Sequence, residues 1–287
     1  MEHSISPGRN KACFRFLALA VCLLAAARVQ AEQAVHWYAS IAEASAQALP
    51  ANRPLFIDFR ADWCKPCLVM EKEVYATPDF QHAAQKYLLV RIDYDRETAL
   101  ARKFEVGGLP TIVVTDSYGN LLFRHEGYLG AKSLVGMASA LPGDVSEFNR
   151  LQKILAGDKN NFGALEKMGS SLRTAGLFLT SGIYYAKAAQ TREAKSNPEL
   201  RATIWNETGL NLLDLMDGER AADIFAKCIK EFPNSKRKGE WTLNLARSYA
   251  LLGEKGKERA RKLLESWVRE NSSSAEAREA QKILTSL

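Results

Sequence analysis

Two cysteines three positions apart, in the run Asp62-Trp63-Cys64-Lys65-Pro66-Cys67, have the type and spacing to do chemistry. A thiolate attacks a disulfide, and a second thiol within bonding range then releases the captured sulfur. Spacing of three on a helix puts both side chains on one face, about 5.5 Å apart at Cα, a separation a disulfide can bridge. The run follows an apolar strand and opens a helical pattern. Unpaired N–H groups at a helix start stabilise a thiolate, and Lys65 adds a positive charge. Pro66 suits a first helical turn, where its missing N–H would have no partner. The residues alone also fit a permanent disulfide staple or half of a metal site. Zinc takes four ligands, however, and no second Cys-x-x-Cys exists. His36, His82 and His125 fall on separate elements, so no metal or other cofactor is expected.

The elements around this run must hold it. Leu55–Phe59 is a nearly continuous apolar strand of the kind buried on both faces. The spacing predicts helices over Val35–Leu49, ending at Pro50, over Cys67–Tyr75, and from Pro78 through Lys86. Tyr87–Tyr94 reads as a strand, Thr98–Phe104 as a short helix, and Thr111–Thr115 as a third strand. The turn Ser117–Asn120 leads to a hairpin partner, Leu121–His125, and Ala131–Leu141 closes the unit as a helix. The order β-α-β-α-β-β-α implies a mixed sheet covered by helices on both faces.

Here the chain resembles the thioredoxin superfamily, over roughly residues 35–141. Four features in order carry the likeness: Trp63–Cys67, Asp58 in the preceding strand, Gly108-Leu109-Pro110-Thr111, and Gly127 after the hairpin. Ala61–Cys64 and Met70–Tyr75 look closer to one branch, that of the C-terminal domains of periplasmic thiol:disulfide interchange reductases and their relatives. The resemblance implies that Cys64 is the attacking thiolate, that Cys67 resolves the mixed disulfide, and that Asp58 takes the proton from Cys67. It implies that Pro110 is cis and presents the Leu109 backbone to an extended substrate, with Trp63 as an apolar flank. Lys65 and Pro66, between the cysteines, would tune the redox poise. Arg91 stands where thioredoxins place a lysine near the buried carboxylate; if the two meet, it favours ionised Asp58.

Past Leu141-Pro142-Gly143-Asp144, strand signals vanish. Trp205, Gly209, Leu212, Ala221, Phe225, Cys228 and Pro233 resemble a tetratricopeptide-like helix pair. Gly169, Leu172, Tyr185 and Ala188 form an earlier copy, and Ala246 and Tyr249 begin a later one with an insertion near Gly253–Lys257. Trp205 and Phe225 are expected to fill the gaps between pairs, and Ala275–Leu287 to cap the stack. Cys228, at a small-residue position, reads as a buried, inert thiol. Lys236-Arg237-Lys238 reads as a solvated turn.

The 287 residues are 47% hydrophobic and 25% charged, which excludes a disordered chain, a collagen-like fibre and a multi-span membrane protein. Of the net charge of +6, residues 1–31 carry +3, residues 32–141 carry −2 and residues 142–287 carry +5. No basic stripe with interleaved aromatics appears, so nucleic acid is not an expected partner. Arg9, Lys11 and Arg15 precede the apolar run Phe16–Ala27, too short to span a bilayer, and Val29-Gln30-Ala31 offers a cleavage site. The expected organisation is a signal peptide (1–31), an α/β thioredoxin-like domain (32–141) and an all-α tetratricopeptide-like domain (142–287). Cleavage would remove Cys13 and Cys22, leaving too few cysteines for a disulfide framework.

The expected activity is that of an exported, periplasmic oxidoreductase that reduces protein disulfides and is recharged by a membrane-embedded donor. Its helical repeats would hold a protein partner. The alternative is a non-catalytic binding or assembly module in which the repeats carry the function.

Overall fold

A computed structural model describes residues 35–287; the expected signal peptide, its cleavage point, Cys13 and Cys22 lie outside the described residues. The core of the front part is a five-stranded sheet built on apolar β-branched and aromatic runs. Its strands are β1 (Trp37–Tyr38), β2 (Leu55–Arg60), β3 (Leu88–Asp93), β4 (Thr111–Thr115) and β5 (Leu121–Glu126). They lie in the order β1-β3-β2-β4-β5. β1, β3 and β2 run parallel, while β4 is antiparallel to β2 and β5 to β4.

The helices of this part are, in chain order, α1 (Ile41–Ala51), α2 (Lys65–Met70), α3 (Pro78–Ala84), α4 (Thr98–Lys103) and α5 (Ala131–Ala140). Period-two alternation decides what each face of β2 touches. Leu55, Ile57 and Phe59 share a core with Leu88, Val90 and Ile92 of β3 and with residues of α1 and α4. The opposite face carries Phe56, whose ring meets Tyr75, Phe80 and Tyr87 edge-on. Asp58 lies on that second face, two residues along.

Two expected elements differ. The helix expected over Val35–Leu49 begins only at Ile41, where the Ser40 hydroxyl accepts the Glu43 N–H at 3.2 Å. Trp37 and Tyr38 instead form an edge strand paired with Leu89 and Val90. Pro50 does not end α1, which runs to Ala51 before Asn52 turns left-handed with φ 49°. So late in a helix, a proline disturbs only the final turn. The second difference is that α2 passes into a π-helical segment at Glu71–Tyr75 instead of continuing as α-helix.

Beyond residue 141 the described chain is all helical: α6 (Ser146–Gly157), α7 (Phe162–Thr174), α8 (Phe178–Gln190), α9 (Arg192–Ser196), α10 (Pro198–Asp214), α11 (Gly218–Glu231), α12 (Lys238–Ala250), α13 (Gly253–Glu270) and α14 (Ala275–Ser286). Successive helices pack as hairpins. A Cβ on Gly169 would lie 2.7 Å from the Tyr185 ring, and one on Gly209 would lie 2.6 Å from Phe225. Each glycine therefore lets its own partner helix approach, and Phe225, besides lying against Gly209, shares a buried cluster with Trp241 and Leu245 of the next helix. Trp205 is only half-buried, against Phe232. Trp241 is the fully buried tryptophan of this region, and its indole N–H donates to Asn206 Oδ1 at 3.1 Å. The expected insertion at Gly253–Lys257 is the first turn of α13, while the short α9 accounts for the long separation of Gly169 and Gly209. α14 packs across α13 and α12. Among the described residues no helix is long and apolar enough to cross a membrane.

Candidate active site

β2 ends in a tight turn, in which the Cys64 N–H donates to the Ala61 carbonyl at 3.1 Å, and Cys64 then caps α2. Cys64 and Cys67 are disulfide-bonded, with Cα atoms 5.3 Å apart. The Cys67 backbone N–H points at Cys64 Sγ, 3.2 Å away. The same arrangement would hold a thiolate on Cys64 once the bond is reduced, because a helix-start donor favours its charged form. Pro66 lies in the first turn, and Lys65 and Pro66 are both exposed between the cysteines.

Both cysteines are nearly covered, at 3% and 4% exposure. Beside them in the chain stand three exposed apolar residues, Trp63, Leu68 and Val69, with Trp63 64% exposed. The Trp63 indole N–H donates to Asp95 Oδ2 at 2.8 Å, which fixes the ring's direction while leaving its faces bare. Leu109 packs against Ala61, Cys64 and Cys67. The Leu109–Pro110 peptide is cis. Around it, the Thr111 hydroxyl donates to the Gly108 carbonyl at 2.7 Å and the Gly127 N–H donates to the Pro110 carbonyl at 2.8 Å.

Asp58 is 3% exposed. It faces Arg91, its register partner on β3, with Oδ2 3.7 Å from Nε. The two do meet, but Arg91 does not hold Asp58 at an ordinary acidity. Its Nη1 donates to Glu71 Oε1 at 2.8 Å, and its guanidinium lies 4.5 Å from the centre of the Trp37 ring. The Tyr75 hydroxyl lies beside Asp58 with a geometry short of a full hydrogen bond. Burial raises the Asp58 pKa from 3.8 to about 6, while Arg91, Tyr75 and Arg60 pull it back and Glu71 adds to the rise. Desolvation wins because the arginine's charge is shared and no N–H of it reaches the carboxylate squarely.

The sequence thus marked the cysteines, Asp58, Trp63, Lys65, Pro66, Leu109 and Pro110, and the structure gathers Trp63, Leu109 and the two cysteines at one end of β2. It also brings in Asp95 and Trp37, which no local signal singled out, and Glu71 and Tyr75, which the sequence marked only as part of the Met70–Tyr75 resemblance and gave no role. Glu71 and Tyr75 bracket the π segment and so share the face turned toward Asp58 and Arg91. The histidines sit apart, on the β1 approach, α3 and β5. Cys228 is fully buried, and burial pushes its thiol up to about 12. In the basic turn, Arg237 pairs with Glu240 at 3.1 Å.

A family described as thioredoxin-like matches residues 36–117. The thiol:disulfide interchange protein DsbD of Pectobacterium atrosepticum is 31% identical over 100 residues, which are 33% of this chain and 17% of that protein. The chloroplastic thioredoxin Y of Oryza sativa subsp. japonica is 30% identical over 89 residues, 30% of this chain and 49% of the relative. A solved structure titled DsbH oxidoreductase is 24% identical, covers 40% of this chain and 91% of its own, and has a TM-score of 0.35. The matches thus span less than half the length of these curated relatives. With the mixed sheet and its disulfide-bonded Cys-x-x-Cys pair, they make the front part of this chain a thioredoxin-like domain, followed by an all-helical region.

Proposed function

We propose that the chain is an exported oxidoreductase that reduces disulfides in proteins. The observation carrying this reading is the Cys64–Cys67 pair at a helix start, with the Cys67 N–H aimed at Cys64 Sγ and Leu109 packed beside both sulfurs. In the reduced enzyme the Cys64 thiolate attacks a substrate disulfide, forming a mixed disulfide and releasing one substrate thiolate. Cys67 then loses its proton to the Asp58 carboxylate and attacks Cys64 Sγ. The second substrate thiolate leaves, and the enzyme is left with the Cys64–Cys67 disulfide present in this structure. Two electrons pass from enzyme to substrate.

With its pKa near 6, Asp58 is mostly ionised at neutral pH yet basic enough to take that proton. Trp63, Leu68 and Val69 give the substrate an apolar surface, and the Leu109 backbone gives it an extended edge to pair with. Because both sulfurs are nearly covered, the substrate must enter as a narrow, extended segment. Lys65 and Pro66, on the exposed side of the pair, adjust how readily it is reduced.

Export rests on the basic-then-apolar pattern of residues 1–31, and the reducing direction on the likeness to interchange reductases. An exported compartment lacks a free reductant pool, so a membrane-embedded donor recharges the pair. The tetratricopeptide-like hairpins of residues 142–287 hold a protein partner. A Cys64→Ser variant is expected to lose reduction of insulin disulfides by more than a hundredfold, on the order of a lost nucleophile. Cys67→Ala is expected to accumulate mixed disulfides on Cys64, readable by non-reducing gel and mass spectrometry. Parent-like turnover in the serine variant would remove the proposal.

A further inference from the structure

Glu126 is the last residue of β5 and pairs in register with Thr111, directly after Pro110. Its Oε2 accepts the Gly107 N–H at 3.1 Å. It forms no ion pair with a described residue, and its side chain is exposed. The loop comes so close that a Cβ on Gly108 would lie 2.8 Å from Oε1. Three tethers therefore converge on the loop: the Glu126 carboxylate on Gly107, the Thr111 hydroxyl on Gly108 and the Gly127 N–H on Pro110. Leu109, between them, packs its side chain on the sulfurs, and its backbone groups take no partner among the described residues.

From this we infer that Glu126 is a positioning residue: its carboxylate clamps the loop so that the Leu109 backbone is ready for an extended substrate. The inference rests on the proposed reduction of protein disulfides. Gly107 and Gly108 bring two conformationally free residues immediately ahead of Leu109, and such a segment holds one shape only if something fixes it. Glycine at both places also admits the carboxylate. Gly127 restrains the far side of the loop and Thr111 holds the Gly108 carbonyl, whereas the Gly107 N–H is held by the glutamate. Without it, the binding-ready loop becomes a fraction of the population, and apparent affinity falls by that fraction. Chemistry on substrate already bound is unchanged, since Glu126 bonds neither cysteine.

The full chain carrying Glu126→Ala, compared with Glu126→Gln, tests this. For a peptide disulfide substrate, the alanine variant is expected to raise KM roughly tenfold with kcat within about twofold of the parent. Glutamine keeps an acceptor oxygen and is expected to restore KM. Amide hydrogen exchange at Gly107 should accelerate in the alanine variant and not in the glutamine variant. An alanine variant with parental KM and parental Gly107 exchange overturns the inference, as does a glutamine variant as impaired as alanine. If the parent itself reduces no disulfide, the functional proposal fails, and Gly107 exchange alone then decides whether Glu126 clamps the loop.

Discussion

Asp58 shows how one side chain can be poised by competing forces. Its neighbour Arg91 would, in water-like surroundings, hold a carboxylate ionised; here burial outweighs it, and the pKa settles near 6. A carboxyl whose folded pKa lies above its unfolded value of 3.8 binds its proton more tightly in the folded state. It therefore contributes stability below about pH 4, and that contribution is lost as pH rises through about 6. The shift of about two units corresponds to roughly 3 kcal/mol. Asp58→Asn removes the titration, so the oxidised variant is expected to gain on the parent by up to that amount between pH 4 and pH 7. Urea midpoints of both proteins across that range measure it; parallel pH profiles would show that Asp58 does not titrate as described. The same variant should slow release of substrate from the mixed disulfide by about a hundredfold at neutral pH, the order expected for a missing proton acceptor. Rapid-quench trapping of that intermediate reads the rate.

At the level of elements, small residues determine how the helical hairpins close. Gly209 lies against Phe225 and Gly169 against Tyr185, at separations no side chain would tolerate without movement. Gly209→Ala is expected to destabilise the oxidised protein by about 1–3 kcal/mol through overpacking. Gly136, inside α5, is the contrasting site, because a Cβ there would meet nothing within 4 Å. Its replacement by alanine should stabilise by about 0.5–1 kcal/mol through helix propensity. Thermal melts that moved in the same direction for both would contradict this account of the close contact. The close contacts were legible because glycine and aromatic recur at matching places along the chain. So were β2, β3 and β4, whose apolar runs are too short and continuous for surface helices. β1 was not, since a two-residue strand exists only by pairing with Leu89 and Val90. That Trp241 is the buried tryptophan likewise shows only in the packed helices, where its indole meets Asn206. The site divides in the same way. Cys64, Cys67 and Pro110 announce themselves within a few residues, whereas Trp37, Asp95 and Glu126 reach it only through the fold.

Across the whole molecule, the sheet and the helical region are joined by buried polar groups as well as by apolar contact. Asn149 of α6, 4% exposed, donates through Nδ2 to Asn52 Oδ1 and Ser117 Oγ, each at 2.9 Å, and accepts the Ser117 N–H at 3.2 Å. Ser117 in turn donates to the Arg53 carbonyl at 2.7 Å, and the Val145 N–H donates to the Asn52 carbonyl at 2.9 Å. Farther along, the Thr180 hydroxyl of α8 donates to the Leu122 carbonyl of β5 at 2.6 Å. Satisfied groups of this kind fix one geometry, because any other arrangement leaves a buried donor or acceptor unpaired. The helices consequently stand at a set position relative to the sheet, and residues 36–287 are one compact unit. A single cooperative unfolding transition is therefore expected for the parent by calorimetry. Asn149→Ala would strand the Ser117 N–H and Asn52 Oδ1 at the seam and cost roughly 3 kcal/mol. Since the loss falls on the contact between the two parts and not within either, the variant's transition should broaden toward two steps. A parent that already melts in two well-separated steps, or a variant that melts like the parent, would mean that Asn149 does not couple sheet and helices.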